Sequence, residues 1–124
     1  MPDHDGPVRS VLYLQAKPGM RGDLVATFRR IDVPGHALLQ EGCLSVEVHV
    51  PPDEDGPMLV TALWTHRAAY DGWLANPWRE YSGKEIEPFL DSEYQGGGIV
   101  YDIVLADGDV SAVAAGAQKA SATG

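Results

Sequence analysis

The order of strand-like and helix-like segments along residues 8–105 constrains the fold more than any other feature of this sequence. Residues 8–16 read as a first strand that ends at the turn Lys17-Pro18-Gly19. Residues 21–32 then predict a helix, because apolar side chains recur there at helical spacing. Those positions are Leu24, Val25, Phe28 and Ile31.

The rest of this region predicts three more strands and a second helix. Residues 43–50 alternate between apolar and polar side chains, as in a half-buried strand, and a turn-rich connection follows. A third strand is predicted over residues 58–64. A helix is predicted over residues 66–75 with Thr65 at its N-cap, and a last strand over residues 99–105.

The order is therefore β-α-β-β-α-β, which matches the ferredoxin-like split βαβ arrangement of the α+β class. It predicts one four-stranded antiparallel sheet with both helices on one face. The third strand has apolar side chains on both of its sides, so a single chain would cover only one apolar face. We therefore expect a homodimer in which two sheets pack against each other.

Proline and glycine mark the parts that are predicted to be irregular. Pro34-Gly35 is expected to interrupt the first helix, with one further turn over residues 37–39. The stretch after Trp78 is expected to be less regular, with a short helix near Ile86 that Gly96-Gly97-Gly98 breaks.

The two ends of the chain differ from its middle in composition. Residues 1–7 combine prolines with aspartates, and residues 106–124 consist mostly of Ala, Gly, Ser, Asp and Val. We therefore predict a disordered N-terminus over residues 1–7, a folded α+β domain over residues 8–105 and a flexible tail over residues 106–124.

Composition and charge exclude several classes of function. The sequence has 9 basic and 18 acidic side chains, a formal net charge of -9, which disfavours nucleic acid and anionic membranes as partners. No apolar run is long enough to cross a bilayer, and the N-terminus lacks a signal-peptide pattern, so we expect a cytoplasmic protein. Cys43 is the only cysteine, which excludes an intrachain disulfide and a thiolate zinc cluster.

Large aromatic side chains cluster where the third strand meets the second helix. Trp64 ends the strand, Tyr70 and Trp73 lie three residues apart on one helix face, and Trp78 follows Asn76-Pro77. Such an arrangement can wall a flat apolar cavity or fill a core.

With these segments in this order, the chain resembles the antibiotic biosynthesis monooxygenase superfamily of small dimeric α+β barrel proteins. The resemblance rests on the opening strand and on Gly42-Cys43-Leu44-Ser45-Val46-Glu47 at the start of strand two. It also rests on Leu63-Trp64 followed by the run from Ala68 to Pro77. It covers residues 8–105.

The resemblance implies an activity without a metal, flavin or haem cofactor. In the family's polyketide oxygenases a deprotonated phenolic substrate, such as an anthrone or a hydroquinone, reduces O₂ directly. The implied partners are therefore a small aromatic substrate and O₂. Trp64 and Tyr70 stand where that group has pocket residues, whereas Val60 stands where that group often has an asparagine.

Two other subgroups of the family fit this sequence less well. Members that oxidise quinols often have the pattern His-x-x-x-x-His where this chain has Trp73 and Trp78. Haem-degrading members need a histidine on the second helix, and the helix after His66 has none. Both subgroups are therefore disfavoured.

Several further residues are candidates for the predicted site. His49 shares a strand face with Glu47, and its imidazole suits a general base if that face borders the pocket; otherwise it faces solvent or a partner subunit. The predicted substrate-binding residues are Val60, Trp73, Trp78, Tyr81 and His36. Core packing is the alternative for Trp73. Arg79 and Lys84 are placed to meet an anionic substrate or to face solvent.

The sequence predicts no metal site and no nucleotide site. Its histidines are not paired one helical turn apart, and the acidic run over residues 53–56 fits a hairpin turn better than a calcium loop. Gly96-Gly97-Gly98 precedes a predicted strand, whereas a phosphate loop precedes a helix.

The leading hypothesis is a homodimeric, cofactor-independent monooxygenase that acts on a polycyclic aromatic or polyketide-type phenol, with His49, Trp64 and Tyr70 as catalytic residues. A cyclase or isomerase that uses the same pocket for proton transfer is the second hypothesis. A non-catalytic dimeric barrel that binds a hydrophobic ligand or a protein partner is the third.

Overall fold

The computed structural model describes residues 5–91 and 98–108 of the chain. The strands are β1 (Val8–Leu14), β2 (Cys43–His49), β3 (Met58–Trp64) and β4 (Gly98–Asp102). The helices are α1 (Arg21–Arg30), α2 (Val33–Leu38), α3 (Arg67–Leu74) and α4 (Trp78–Ile86), followed by a 3₁₀ turn over Glu87–Phe89. Within the described ranges, no helix has the length and apolar character needed to span a bilayer.

The four strands form one antiparallel sheet in the order β2-β3-β1-β4. The central strands β1 and β3 pair along their whole length, from Val8 opposite Trp64 to Leu14 opposite Met58. This order is that of the ferredoxin-like split βαβ arrangement, so the α+β fold predicted from the sequence is confirmed.

The register of the central strands fixes which side chains share a face, because successive residues of a strand point to opposite sides. Ser10 lies opposite Ala62 and Leu12 lies opposite Val60, and these four side chains share one face with Trp64. We call this side, on which the helices pack, the helix face. The opposite side, which carries Thr61 and Leu63 of β3, is called the second face.

Two buried clusters join the helices to the helix face. The first joins α1 to the Met58 end of β3 and consists of Leu14, Ala16, Leu24, Phe28, Ile31, Val33 and Met58. The second joins α3 to the Trp64 end of β3 and consists of Val8, Ala62, Trp64, Ala69 and Tyr70. Trp64 and Tyr70, two of the four clustered aromatic residues in the sequence, are therefore part of the core at the Trp64 end of β3.

The first helix ends earlier than predicted, and the residues after it form a helix of their own. Pro34 lies in the first turn of α2, where a proline is tolerated because no intrahelical N–H is needed there. Asp32 precedes this turn with a left-handed backbone (φ 57°), and its carboxylate accepts a hydrogen bond from the Gly35 N–H at 3.1 Å. The residues predicted to interrupt the first helix therefore form the N-terminus of α2.

The stretch after Asn76-Pro77 is also more regular than predicted. Asn76 Oδ1 accepts a hydrogen bond from the Trp78 N–H at 2.9 Å and so supports the first turn of α4. The helix packs against α1, and Arg30 pairs with Glu85 at 3.2 Å. Its apolar positions do not follow a clear helical period, so the sequence pattern missed most of it. The short helix predicted near Ile86 corresponds to the end of α4 and the 3₁₀ turn over Glu87–Phe89.

Other predicted boundaries need smaller corrections. Thr65 does not cap α3: the N-cap residue is His66, whose side chain makes no capping bond. Thr65 Oγ1 instead lies 2.8 Å from His66 Nδ1. β1 ends at Leu14, two residues early, although Ala16 makes an isolated bridge to Leu90.

The last strand is shorter at its C-terminal end than predicted. β4 ends at Asp102, three residues before its predicted end. The predicted break at Gly96 and Gly97, residues 1–4 of the predicted disordered N-terminus, and residues 109–124 of the predicted tail lie outside the described residues.

Candidate functional site

A cleft lies between the helix face and the helices α2, α3 and α4. Its volume is about 80 Å³, and together with its open mouth it contains about 530 Å³ of empty space. The side chains around it are Ser10, Val11, Leu12, Val33, Ala37, Val46, Val60, Ala62, Trp64, Tyr70, Trp73, Leu74, Arg79 and Gly98. Most are apolar, so the few polar groups determine what the cleft can bind.

Trp64 forms a wall of the cleft and is only 1% exposed. Its indole N–H donates a hydrogen bond to Ser10 Oγ at 3.0 Å, in the interior of the protein. Ser10 is itself buried, and in the described part of the chain its hydroxyl donates to no other group. The Ser10 proton is therefore available for a molecule in the cleft.

Ser10 was not predicted as a site residue, although one signal was present in the sequence. Every second residue of β1 points to the helix face, and Ser10 is the one polar residue of that set, which also includes Val8, Leu12 and Leu14. Only the pairing of β1 with β3 brings Ser10 next to the Trp64 indole, 54 residues away in sequence.

Tyr70 lines the cleft from α3, and its ring centroid lies 5.7 Å from that of Trp64. Its hydroxyl is directed at Gly98 of β4: a Cβ atom built at Gly98 would lie 2.7 Å from the hydroxyl oxygen. The glycine therefore leaves room for the hydroxyl, and a larger residue there would displace it.

Burial raises the pKa of the Tyr70 hydroxyl above its ordinary value of 10.0. The charges of Arg79 and Arg67 oppose that shift, while Asp71 adds to it. Because the net shift is upward, Tyr70 is protonated at neutral pH. It can donate a hydrogen bond to an anionic oxygen, but it cannot serve as a base there.

Arg79 is the one charged residue among the described residues that line the cleft. Its Nη1 donates to the Leu74 carbonyl oxygen at 3.3 Å, and its guanidinium carbon lies 5.9 Å from the centre of the Trp73 ring. In the described ranges no carboxylate forms an ion pair with it. Of the two cations considered in the sequence, Arg79 belongs to the cleft, whereas Lys84 pairs with Glu80 at 3.6 Å on the surface.

The five predicted substrate-binding residues divide into two groups. Val60 and Trp73 line the cleft. His36, Trp78 and Tyr81 instead pack on one another beside it: the His36 and Trp78 rings are stacked 3.8 Å apart and 8° from parallel, and the centroid of Tyr81 lies 5.9 Å from that of Trp78. Trp73 contacts this group at 6.2 Å from Trp78.

His49, the predicted base, does not meet Trp64 and Tyr70. It lies on the second face, where its Nε2 atom is 3.0 Å from Thr61 Oγ1 and 3.2 Å from Glu47 Oε1. Thr61 and Val60 are neighbours on β3 and therefore point to opposite sides of the sheet. Among the described residues, the cleft is lined by no histidine and no carboxylate.

Neither a reactive thiol nor a metal centre is present in the described part of the chain. Burial raises the pKa of the Cys43 thiol to about 11, so it is protonated and a poor nucleophile at neutral pH. No group of three or more His, Cys, Asp and Glu side chains is close enough together to hold a metal ion.

A family model described as antibiotic biosynthesis monooxygenase matches residues 7–79. The chain belongs to this family. The matched segment runs from the start of β1 into the first turn of α4. It therefore includes Ser10, Trp64, Tyr70 and Arg79, while Gly98 lies beyond it.

Solved structures with the same fold include other proteins at low sequence identity. SnoaB, a cofactor-independent oxygenase from Streptomyces nogalater, is 16% identical, with a TM-score of 0.64 over 85% of this chain and 97% of SnoaB. Rv0793 from Mycobacterium tuberculosis is 19% identical, with a TM-score of 0.61 over 83% of this chain and 96% of that protein.

A conserved protein from Methanosarcina mazei is 15% identical, with a TM-score of 0.65 over 79% of this chain and 93% of that protein. At such identities the likeness shows a shared fold. No curated protein is significantly similar to the chain in sequence.

Proposed function

We propose that this member of the antibiotic biosynthesis monooxygenase family is a cofactor-independent monooxygenase that oxidises an electron-rich phenol with O₂. The observation that carries the proposal is the cleft on the helix face, whose largely apolar lining includes Ser10, Tyr70 and Arg79. These groups suit a substrate that becomes an anion before it reacts.

The reaction requires a substrate whose anion can reduce O₂ without help from a bound cofactor. An anthrone-type substrate loses a proton from its CH₂ carbon, and the resulting carbanion transfers electrons to O₂. The carbon bonds to one oxygen atom, and the peroxide then loses water to leave a carbonyl group. One atom of O₂ enters the quinone, and the other leaves as water with the two hydrogens of the CH₂ group.

The residues of the cleft favour the anion by electrostatics, because donors fixed in an apolar site stabilise charge more strongly than water-exposed donors do. Tyr70 is protonated and Ser10 retains a free proton, so both can donate to the substrate oxygen. Arg79 adds a positive charge. Val60, Ala62 and Trp64 exclude water from the reacting carbon.

Proton removal in this proposal needs no protein base inside the cleft. The donors lower the pKa of the substrate, and the proton passes to water at the open mouth. His49 is not used, because it lies on the second face of the sheet. Val60 has no group that can hydrogen-bond the substrate. Ser10, whose hydroxyl lies next to the Trp64 indole, supplies that hydrogen bond instead.

A cyclase or isomerase is the second candidate for the same cleft. Donors that stabilise a substrate oxyanion also promote enolisation, which needs no O₂. The apolar Val60 favours this candidate, because it offers no group to hold a peroxide. Consumption of O₂ separates the two activities.

The second face supports the proposal of a homodimer. Ile99 and Tyr101 of β4 are 45% and 48% exposed, although Leu63 on the same face is only 1% exposed. Contact with a second copy would bury the exposed pair. Sedimentation of the purified protein tests this, and a monomer at micromolar concentration would contradict it.

The activity is tested with dithranol, a dihydroxyanthrone, and purified protein freed of metal by chelation and of flavin by gel filtration. We expect O₂ uptake matched by quinone formation and water, with one atom of ¹⁸O₂ in the product. Tyr70→Phe should lower the rate, and His49→Gln on the second face is the matched control. Turnover that continues without O₂, or that needs added flavin or metal, would overturn the proposal.

A further inference from the structure

The charge in the cleft indicates a further property of the substrate, beyond its being an electron-rich phenol. Within the described part of the chain, Arg79 is the one charged residue of the lining, and no carboxylate there pairs with it. Resting on the proposed function, we infer that the substrate is a single-ring phenol that carries a carboxylate, and that Arg79 binds this carboxylate at the wall of the cleft.

Two other arginines of the same protein have closer polar partners than Arg79. Arg30 pairs with Glu85 at 3.2 Å. Arg21 donates to the carbonyl oxygens of Pro51 and Asp53 at 3.1 and 2.7 Å. Arg79 is half-buried and donates one longer bond of 3.3 Å, so most of its donors lack a partner in the described part of the chain. A carboxylate can satisfy two of them at once.

The position of Arg79 is compatible with binding one end of a ring whose phenolic oxygen lies near Tyr70. Its bond to the Leu74 carbonyl and its contact with the Trp73 ring hold the guanidinium between two residues that also line the cleft. Arg79 and Tyr70 line the same cleft. One small molecule can therefore contact both residues.

The size of the cleft argues for one ring in its interior. Its volume of about 80 Å³ is smaller than the cavities of about 150 Å³ that enclose a benzene molecule, so a ring would extend into the mouth. A dihydroxybenzoate fits this description. A three-ring molecule such as dithranol could place one ring in the cleft, with its other two rings at the open mouth.

The reaction balances for 2,5-dihydroxybenzoate without a further reductant. One atom of O₂ is inserted into a ring C–H bond to form a hydroxyl group. The other atom leaves as water with the two hydrogens of the original hydroxyls. The ring becomes a hydroxybenzoquinone carboxylate, so the substrate loses four electrons and O₂ accepts four.

The test compares two probes of similar size, the anionic 2,5-dihydroxybenzoate and the neutral 2,5-dihydroxybenzamide. Binding is measured without O₂ by quenching of tryptophan fluorescence, since Trp64 and Trp73 line the cleft. We expect the acid to bind at least about tenfold more tightly than the amide, because a hydrogen-bonded ion pair is stronger than a neutral contact. Equal affinities for the two probes would overturn the inference.

Three arginine variants test whether Arg79 causes the preference for the acid over the amide. Arg79→Gln should bind both probes equally, with affinity for the amide unchanged. Arg79→Lys should retain part of the preference, since it keeps the charge but loses the planar fork. Arg29→Gln, on an exposed position of α1, should bind as the parent does. A full preference in folded Arg79→Gln would also overturn the inference.

Oxygen uptake distinguishes failure of the inference from failure of the proposed function. If the acid binds preferentially through Arg79 but consumes no O₂, the binding preference stands and the oxygenase proposal fails. If dithranol is oxidised and neither single-ring probe is preferred, the oxygenase stands and the inference fails.

Discussion

The two faces of the sheet are built from the same strands, yet they offer different chemistry. On the helix face, Ser10 and Trp64 form a buried hydrogen bond beside an apolar cleft. On the second face, His49, Glu47 and Thr61 form a cluster in which the histidine and glutamate side chains are 45% and 52% exposed. A residue such as His49 with familiar catalytic chemistry is therefore not sufficient evidence of a site: its strand position decides whether it reaches the cavity.

The largest expected difference between the faces is in stability. Trp64→Ala removes a side chain that is 1% exposed and breaks its bond to Ser10, so it should lower the free energy of unfolding by about 3–5 kcal/mol. His49→Ala should change it by less than about 1 kcal/mol, because the side chain is partly exposed. Urea denaturation followed by circular dichroism measures both, and similar losses would remove the distinction between the faces.

The second prediction concerns catalysis. Tyr70→Phe should lower kcat/KM for the oxidation about a hundredfold, because it removes a donor to the developing anion and leaves the ring packing intact. His49→Gln should leave kcat/KM unchanged. Steady-state O₂ uptake compares the variants. A loss of activity in His49→Gln, with Tyr70→Phe unaffected, would place the chemistry on the second face.

A third prediction uses the Cys43 thiol, which lies beside the Trp64 cluster at the edge of the helix face. Since burial raises its pKa from 9.0 to about 11, the thiolate fraction near pH 8 should be about a hundredfold lower in the folded protein than in urea. Alkylation by iodoacetamide should slow accordingly and accelerate as the pH rises toward the higher pKa. Equal alkylation rates in the folded and unfolded protein would show that burial does not raise the pKa of Cys43.

The smallest expected effect comes from the contact between β4 and α3. Gly98→Ala would place a Cβ atom 2.7 Å from the Tyr70 hydroxyl, so it should lower activity roughly tenfold by displacing that group. In Tyr70→Phe the oxygen is absent, and the added Gly98→Ala change should then have little further effect. A double-mutant cycle measures the coupling, and strictly additive losses would show that Gly98 does not position the hydroxyl.

The fold was largely predictable because its main elements have strong local patterns. β3 was predicted with both boundaries correct, Met58–Trp64, from its apolar run between turn residues. α2 was misread because Pro34 was taken to break a helix, although it lies in the first turn of a new one. Most of α4 was missed because its surroundings, rather than an apolar period of its own, stabilise it.

The candidate site was predictable only in part. The strand and helix patterns identified Trp64 and Tyr70 as neighbours, since the junction that joins them is local in sequence. Ser10 and Gly98 were not assigned roles, because they reach the cleft through strand pairing across long separations. Arg79 was a candidate for an anionic substrate, but the sequence did not distinguish it from Lys84, which lies on the surface.

By itself the sequence determined the order of the elements and the two aromatic walls, because periods of 3.6 and 2.0 residues and turn chemistry act over a few neighbouring positions. The tertiary structure decided which polar groups meet those walls. Strand register places Ser10 next to Trp64 and His49 on the second face. Helix packing places Arg79 at the cleft, without an acidic partner in the described ranges. The physical reason is that each of these contacts depends on pairing and packing between segments distant along the chain.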